Sequence, residues 1–310
     1  MSDLLILPTL PIGYCLMRIL MMASSRAKPS ISIQPIKKED LPKAKEILDA
    51  GYGEAPGREN ELRRLFRIQS EGWFFACRGK DPVGMGGAIL YDNFAYIGMM
   101  AVLPAFQRQG YGRAIFEYVL DWLRNKGCLT YLLDATPAGA NLYRQYHFVE
   151  LDQARQYVCP QPPRGFHFSA RVDLVSEGDL ADLLTFDREL FGADRERLMR
   201  VYLADFRDRF LIKRDSQGKI CGFLLAQPQR PGPWIARSIE DAADLLEAAL
   251  SLPYEGEINV IAPAANPYAE ALFEHYGFHF LRALPHMGWG RLPSPSQRQF
   301  IYGQTSFALG

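Results

Sequence analysis

Along residues 31–36 apolar and polar side chains alternate, Ile31 and Ile33 against Ser32 and Gln34, until Ile36 breaks the pattern. A period of two sets one face of a strand against a core. From Tyr111 the period lengthens. Tyr111, Ile115, Val119 and Trp122 share one helical face, and Gly127 is placed to end that helix in a left-handed turn. On this basis the first half reads as strand 31–36, helices 39–50 and 58–69, and strands 73–78, 83–91 and 94–103. Helix 110–126, strand 129–134, helix 137–146 and strand 148–158 follow. Three prolines and a glycine within residues 159–167 mark a linker. Beyond it, Val172 and Leu174 lead into a helix from about residue 177 and a second over 194–207. Strands 210–214 and 219–226, helix 239–251, strand 257–261 and helix 266–276 come next, and a terminal strand region ends at 307–310.

The order of elements thus runs twice, and particular residues recur. Ile33 with Asp40-Leu41 corresponds to Val172 with Asp179-Leu180, and Val83-Gly84 to Cys221-Gly222. Leu142-Tyr143-x-x-Tyr146-His147-Phe148 corresponds to Leu272-Phe273-x-x-Tyr276-Gly277-Phe278. An internal repeat of this kind predicts two copies of one fold. The offset is 138 at the glycine pair and 130 at the helix, so the second copy is eight residues shorter between them.

Composition narrows the classes of function. The chain has 310 residues, room for two domains, with 48% hydrophobic and 23% charged residues, which suits a globular protein. Thirty-five Lys and Arg balance 35 Asp and Glu, so no large positive field is available for nucleic acid, which is not an expected partner. Arg195, Arg197 and Arg200 read as a solvated helix face. The five cysteines show no CxxC spacing and the histidines no HxxxH pair uninterrupted by glycine, so neither a disulfide framework nor a metal is assigned. Residues 4–22 are mostly apolar, but Pro8, Pro11, Gly13 and Arg18 interrupt them and no basic segment precedes them, a poor fit to a signal peptide or membrane span. Residues 1–29 read as an irregular leader, and a start at Met21 or Met22 fits the sequence as well. A cytoplasmic protein without a membrane partner is the expectation.

The most specific chemistry lies in Val102-Leu103-Pro104-Ala105-Phe106-Gln107-Arg108-Gln109-Gly110-Tyr111-Gly112-Arg113, which joins a strand to the start of a helix. A helix N-terminus offers free N–H groups and the positive end of a dipole, and together these bind phosphate. Gly110 and Gly112 let the backbone approach an anion, and Gln107, Arg108, Gln109 and Arg113 add side-chain donors. No Gly-Lys-Ser/Thr follows, which excludes a Walker loop, and the third glycine of a dinucleotide fingerprint is missing.

Gln107, Gly110 and Gly112 resemble the Q/R-x-x-G-x-G/A signature of the GNAT acyltransferases, with Val102 and Pro104 standing for its preceding V-x-P. The resemblance implies an α/β (α+β) fold of two tandem GNAT-like acyl-CoA N-acyltransferase domains, each a mixed central sheet flanked by helices. It implies a catalytic domain over 30–160, a linker over 161–168, and a degenerate copy over 169–310 that shapes the acceptor site or an oligomer interface, such as that of a homodimer. Acetyl-CoA is the implied acyl donor. Its pyrophosphate falls to Gln107, Arg108, Gln109, Gly110, Tyr111, Gly112 and Arg113, and its pantetheine arm to Met100, Ala101 and Val102, where the family's strand bulges. Thr136, which stands where the family often has an asparagine, is also assigned to the cofactor by the resemblance.

Tyr143 falls at the tyrosine that in this family commonly protonates the departing thiolate, with Tyr146 as the fallback. His147 replaces the usual glycine. The second copy keeps Asn266 and Gly277 but has Phe273 at the tyrosine position, and its Gly232–Ser238 stretch carries no glycine pair opening a helix. Phenylalanine cannot donate a proton, so catalysis falls to the first copy. The base stays open among Asp92, Glu54, Asp134 and ordered water. The acceptor loop over 50–69 carries Tyr52, Glu54, Arg58, Glu59 and Asn60. The expected reaction is acetyl transfer to a primary amine of a small molecule by direct attack in a ternary complex. The alternatives are a non-catalytic acyl-CoA-sensing module and a protein acetyltransferase acting on lysine or an N-terminus.

Overall fold

The computed structural model describes residues 31–163, 165–168, 170–254, 256–291 and 295–310, and the leader expected over 1–29 lies outside them. The first half comprises β1 (Ile31–Pro35), α1 (Leu41–Tyr52), α2 (Arg58–Ile68), β2 (Trp73–Arg78), β3 (Asp81–Leu90), β4 (Ala95–Val102), α3 (Tyr111–Asn125), β5 (Thr130–Asp134), α4 (Pro137–Arg144) and β6 (Val149–Cys159). The second comprises β7 (Val172–Leu174), α5 (Leu180–Phe191), α6 (Glu196–Asp205), β8 (Phe210–Arg214), β9 (Ile220–Gln227), β10 (Arg230–Ala236), α7 (Ile239–Leu250), β11 (Ile258–Pro263), α8 (Ala269–His275), β12 (His279–Gly290) and β13 (Ile301–Gly303).

Three strands were not expected. Pro231, Gly232 and Pro233 hide β10, because proline cannot donate to a ladder; the strand tolerates them through a register shift between Pro231 and Trp234. β12 begins with four exposed residues and shows no alternation, and β13 is only three residues long. The terminal strand region expected to end at 307–310 is instead a turn. Gly310 N–H donates to Ser306 O at 3.2 Å and Thr305 N–H to Gly310 O at 2.8 Å, which folds the segment onto itself.

The strands form an eight-stranded sheet, β1-β2-β3-β4-β5-β12-β6-β11, and a five-stranded sheet, β13-β10-β9-β8-β7. β12, from the second half, pairs antiparallel with β5 from Asp134↔His286 to Thr130↔Gly290. Reciprocally, β6 of the first half pairs with β11 of the second, and β6 and β12 pair with each other. The two halves therefore exchange equivalent strands, and the backbone division between sheets does not follow the linker.

On one face of the long sheet, α3 buries Tyr111, Ile115, Phe116, Val119 and Leu120 against Tyr131 and Leu133. On the other, Tyr96, Met99 and Leu132 share a continuous core with α1, α2, α5 and α6. Apolar burial, at roughly 25 cal/mol per Å², thus binds the halves through one core as well as through the ladder.

Candidate active site

β4 and β5 pair in parallel at Ala95↔Tyr131 and Tyr96↔Leu132. Past Tyr96, among the described residues, no further pair joins them, although β4 continues to Val102 and β5 to Asp134. The strands part there into a wedge. The same stretch of β4 carries the bulge that the resemblance implied: Met85 and Gly87 of β3 face Ala101 and Gly98, so β4 holds one extra residue. Met99 takes it up in the left-handed region, at φ 57°. Tyr52 donates a hydrogen bond of 2.6 Å to Met100 O on the bulge.

The turn into α3 has the features of an anion cradle. Arg108 (φ 58°) and Gly110 (φ 95°) both adopt left-handed backbone, and no side chain caps the helix. Its first internal bond runs from Ala114 N–H to Gly110 O, 2.9 Å, so the amides of Tyr111, Gly112 and Arg113 belong to the open first turn. Gln107 Nε2 donates to Val102 O at 3.1 Å and Gln109 Nε2 to Ala105 O at 2.9 Å. These two side chains brace the loop backbone; Arg108 is exposed beside them, and Arg113, also exposed, donates to Gln145 Oε1 and to the Tyr146 hydroxyl. The Tyr111 ring is buried edge-on to Phe106, which leaves only its backbone amide at the turn. The second copy closes the equivalent place: Ser238 Oγ accepts from Asp241 N–H at 3.1 Å and caps α7 itself.

Tyr143 lies in α4 with its ring buried, 4.8 Å from Phe116 between centroids and against Gly139. Burial pushes its phenol well above the ordinary tyrosine value, and the nearby Tyr52 phenol pushes it further. Burial pushes the Tyr52 phenol up to about 12, against the pull of Arg58, although the residue as a whole is 45% exposed. Thr136, placed by the resemblance at the cofactor, caps α4 by accepting from Gly139 N–H at 3.2 Å. The Tyr146 hydroxyl donates to Glu117, and its ring lies under the Arg113 guanidinium. His147 holds φ 65°, the conformation its Gly277 counterpart adopts at 81°.

The candidate bases differ sharply in setting. Asp92 bridges the halves through Arg188 and Asp194 N–H, while Glu54 is exposed in the loop after α1. Asp134 is wholly buried, bonded to the Tyr96 hydroxyl at 2.8 Å, to Gln304 Nε2 at 3.0 Å and to His286 Nδ1 at 2.8 Å. Sequence reading reached Asp134 but not His286 or Gln304, since both follow elements the pattern did not reveal. In the acceptor loop, Arg58 is occupied by Asp49 (2.7 Å) and Gly53 O (2.9 Å), and Glu59 by Arg63. Asn60 is exposed on α2. The segment from Gln304 to Gly310 walls this side of the wedge: a Cβ on Gly98 would come within 2.6 Å of Ala308 Cβ.

A mixed sheet with a bulged, parted strand pair lies beside an uncapped, glycine-lined helix N-terminus, in an acetyltransferase-type α/β fold. The acetyltransferase (GNAT) family model matches residues 39–148, and an acetyltransferase (GNAT) domain model matches residues 183–303. The chain belongs to the GNAT acetyltransferase family as a tandem, two-domain member. Among solved structures it is similar to a protein from Pyrococcus horikoshii assigned as an acetyltransferase, at 25% identity and TM-score 0.78 over 90% of this chain and 96% of that one. A GCN5-related N-acetyltransferase from Sphaerobacter thermophilus aligns at 15% identity and TM-score 0.62 over 85% and 96% of the two chains. A tandem GNAT protein from the clavulanic acid biosynthesis pathway aligns at 15% and 0.61 over 86% and 100%. No curated protein matches the sequence. No group of three or more metal-ligating side chains, and no helix long and apolar enough to cross a membrane, occurs among the described residues.

Proposed function

We propose that the first half transfers the acetyl group of acetyl-CoA to a primary amine of a small molecule, by direct attack in a ternary complex. The observation that carries this reading is the pairing of two features on one strand–loop–helix unit. The α3 N-terminus is open where its counterpart α7 is capped by Ser238, and β4 bulges at Met99 where it leaves β5. The amides of Tyr111, Gly112 and Arg113, with Arg108 and Arg113, would hold the donor's pyrophosphate. The backbone of Met100, Ala101 and Val102 would pair with its pantetheine amides as an added strand. Acetyl-CoA supplies an activated thioester carbonyl.

Tyr143 gives its proton to the departing thiolate, and its raised pKa keeps the phenol protonated at neutral pH. The second half contributes the wall of the acceptor side through β12 and residues 304–310. The test is release of free thiol from acetyl-CoA by the purified protein over a panel of primary amines, with coenzyme A binding followed by calorimetry. Amine-dependent thiol release is the expected result. Binding without release by any amine would mark a sensing module instead.

A further inference from the structure

Asp134 gathers groups from three other parts of the chain: Tyr96 on β4, His286 on β12, and Gln304 beyond β13. Asp134 lies two residues past the last β4–β5 pair, level with Gly98 and just before the bulge. It shares the sheet face of Leu132, opposite the face on which Tyr131 and Leu133 meet α3. The cluster therefore lies on the face of the parted strands opposite α3, with the Asp134 and His286 side chains buried.

The cluster is also unfinished as a structural network. Gln304 Oε1 and Arg298 Nη2 are buried without a hydrogen-bond partner among the described residues. Arg298 is anchored through Nε to Asp152 at 2.9 Å, close enough to act on both Tyr96 and His286. A spare acceptor and a spare donor beside a buried carboxylate and imidazole leave hydrogen-bonding capacity for a polar ligand.

We propose that His286 is the general base of the acetyl transfer, with Asp134 as its positioning residue, so that the half without the donor loop supplies the group that takes the acceptor's proton. The proposal rests on the acetyltransferase reading above. Asp134 accepts from Nδ1–H and so leaves the ring's lone pair on Nε2. Burial, reinforced by the Arg298 guanidinium, holds the ring below the usual histidine value against the opposing pull of Asp134 and Asp152. The Tyr96 hydroxyl and Gln304 complete its surroundings.

As the amine nitrogen bonds the thioester carbon its proton becomes acidic and passes to Nε2, where it could not pass from a free ammonium. The C–S bond then breaks, the thiolate takes the Tyr143 proton, and the imidazolium returns its proton to the phenolate through solvent. Acetyl-CoA and amine give acetamide and coenzyme A, with no change of oxidation state.

The experiment measures thiol release from acetyl-CoA with lysine, putrescine, spermidine and glucosamine as acceptors. His286→Gln is expected to lower kcat at pH 7 on the order of 100- to 1,000-fold, the range typical of a lost general base, with KM for acetyl-CoA nearly unchanged. Asp134→Asn removes the charge that favours the imidazolium, so the acidic limb of kcat/KM moves to lower pH. Because His286 sits within the sheet, its ring is also read in the native protein with coenzyme A bound. The imidazole 15N spectrum at pH 7 is expected to show the neutral Nδ1–H tautomer. Full turnover by His286→Gln, an unmoved limb in Asp134→Asn, or an imidazolium or Nε2–H ring overturns the base while leaving the acetyltransferase reading intact. A native protein inert with every amine overturns that reading, and the base with it.

Discussion

Tyr143 and Phe273 occupy the same helical position in the two copies, and the phenol is their one chemical difference. Tyr143→Phe is accordingly expected to lower kcat on the order of 100-fold while calorimetric affinity for coenzyme A stays unchanged; an equal fall in both would place the residue in binding rather than in chemistry. His147 carries a left-handed backbone that its counterpart leaves to glycine. His147→Gly relieves about 1–2 kcal/mol of strain and gives back about 0.4–1 kcal/mol in unfolded-state entropy. A small gain in denaturant midpoint is the expected sign, and a loss would show that the imidazole makes a compensating contact. His286 is held neutral by its surroundings, with its folded value below the ordinary 6.5. The unfolded chain therefore binds the extra proton first, so this residue's contribution is present above pH 6.5 and is lost as pH falls below it. Stability measured from pH 7 downward should decline in that window, and His286→Gln should flatten the decline.

Periodicity carried the elements with one clean face. α3 was legible from its stripe of Tyr111, Ile115, Val119 and Trp122 to within a residue of its observed ends, although Leu123 rather than Trp122 closes the buried face. The strand, turn and helix around Val102–Arg113 were legible for a related reason, since they are adjacent in sequence, while the bulge in β4 followed only from the family resemblance. β10, β12 and β13 were not, because their geometry is set by partners rather than by their own pattern: prolines sit in β10 at a bulge, and β12 takes its faces from β5 and β6. His286 and Gln304 were lost with them, and the base stayed open. At this scale the turn before α3 makes its own prediction. A Cβ on Gly110 meets nothing nearer than Ile31 Cδ1 at 3.7 Å, so Gly110→Ala is penalised by φ 95° alone. The variant should lose about 1–2 kcal/mol of stability or shift the turn, and in either case bind coenzyme A more weakly. Unchanged affinity would show that the anion is held by side chains rather than by the amides.

The molecule as a whole is stitched by exchange. Residues 31–163 expressed alone lose β12, leave β5 and β6 with open edges, and expose the apolar face that α5 and α6 cover. Aggregation or a collapsed amide NMR spectrum is the expected outcome, and a dispersed spectrum from a monomer would show that the first half closes its sheet unaided. The same exchange sets a timetable for biosynthesis. Asp134 and His286 are separated by 152 residues. At roughly 5–20 residues per second, a ribosome delivers His286 about 8–30 s after Asp134. Throughout that interval β5 is without its β12 partner, and Asp134 has no imidazole to meet. The turn before α3 is therefore synthesised well ahead of the strand that completes its sheet, and β5 gains its β12 partner only when nearly the whole chain has been made.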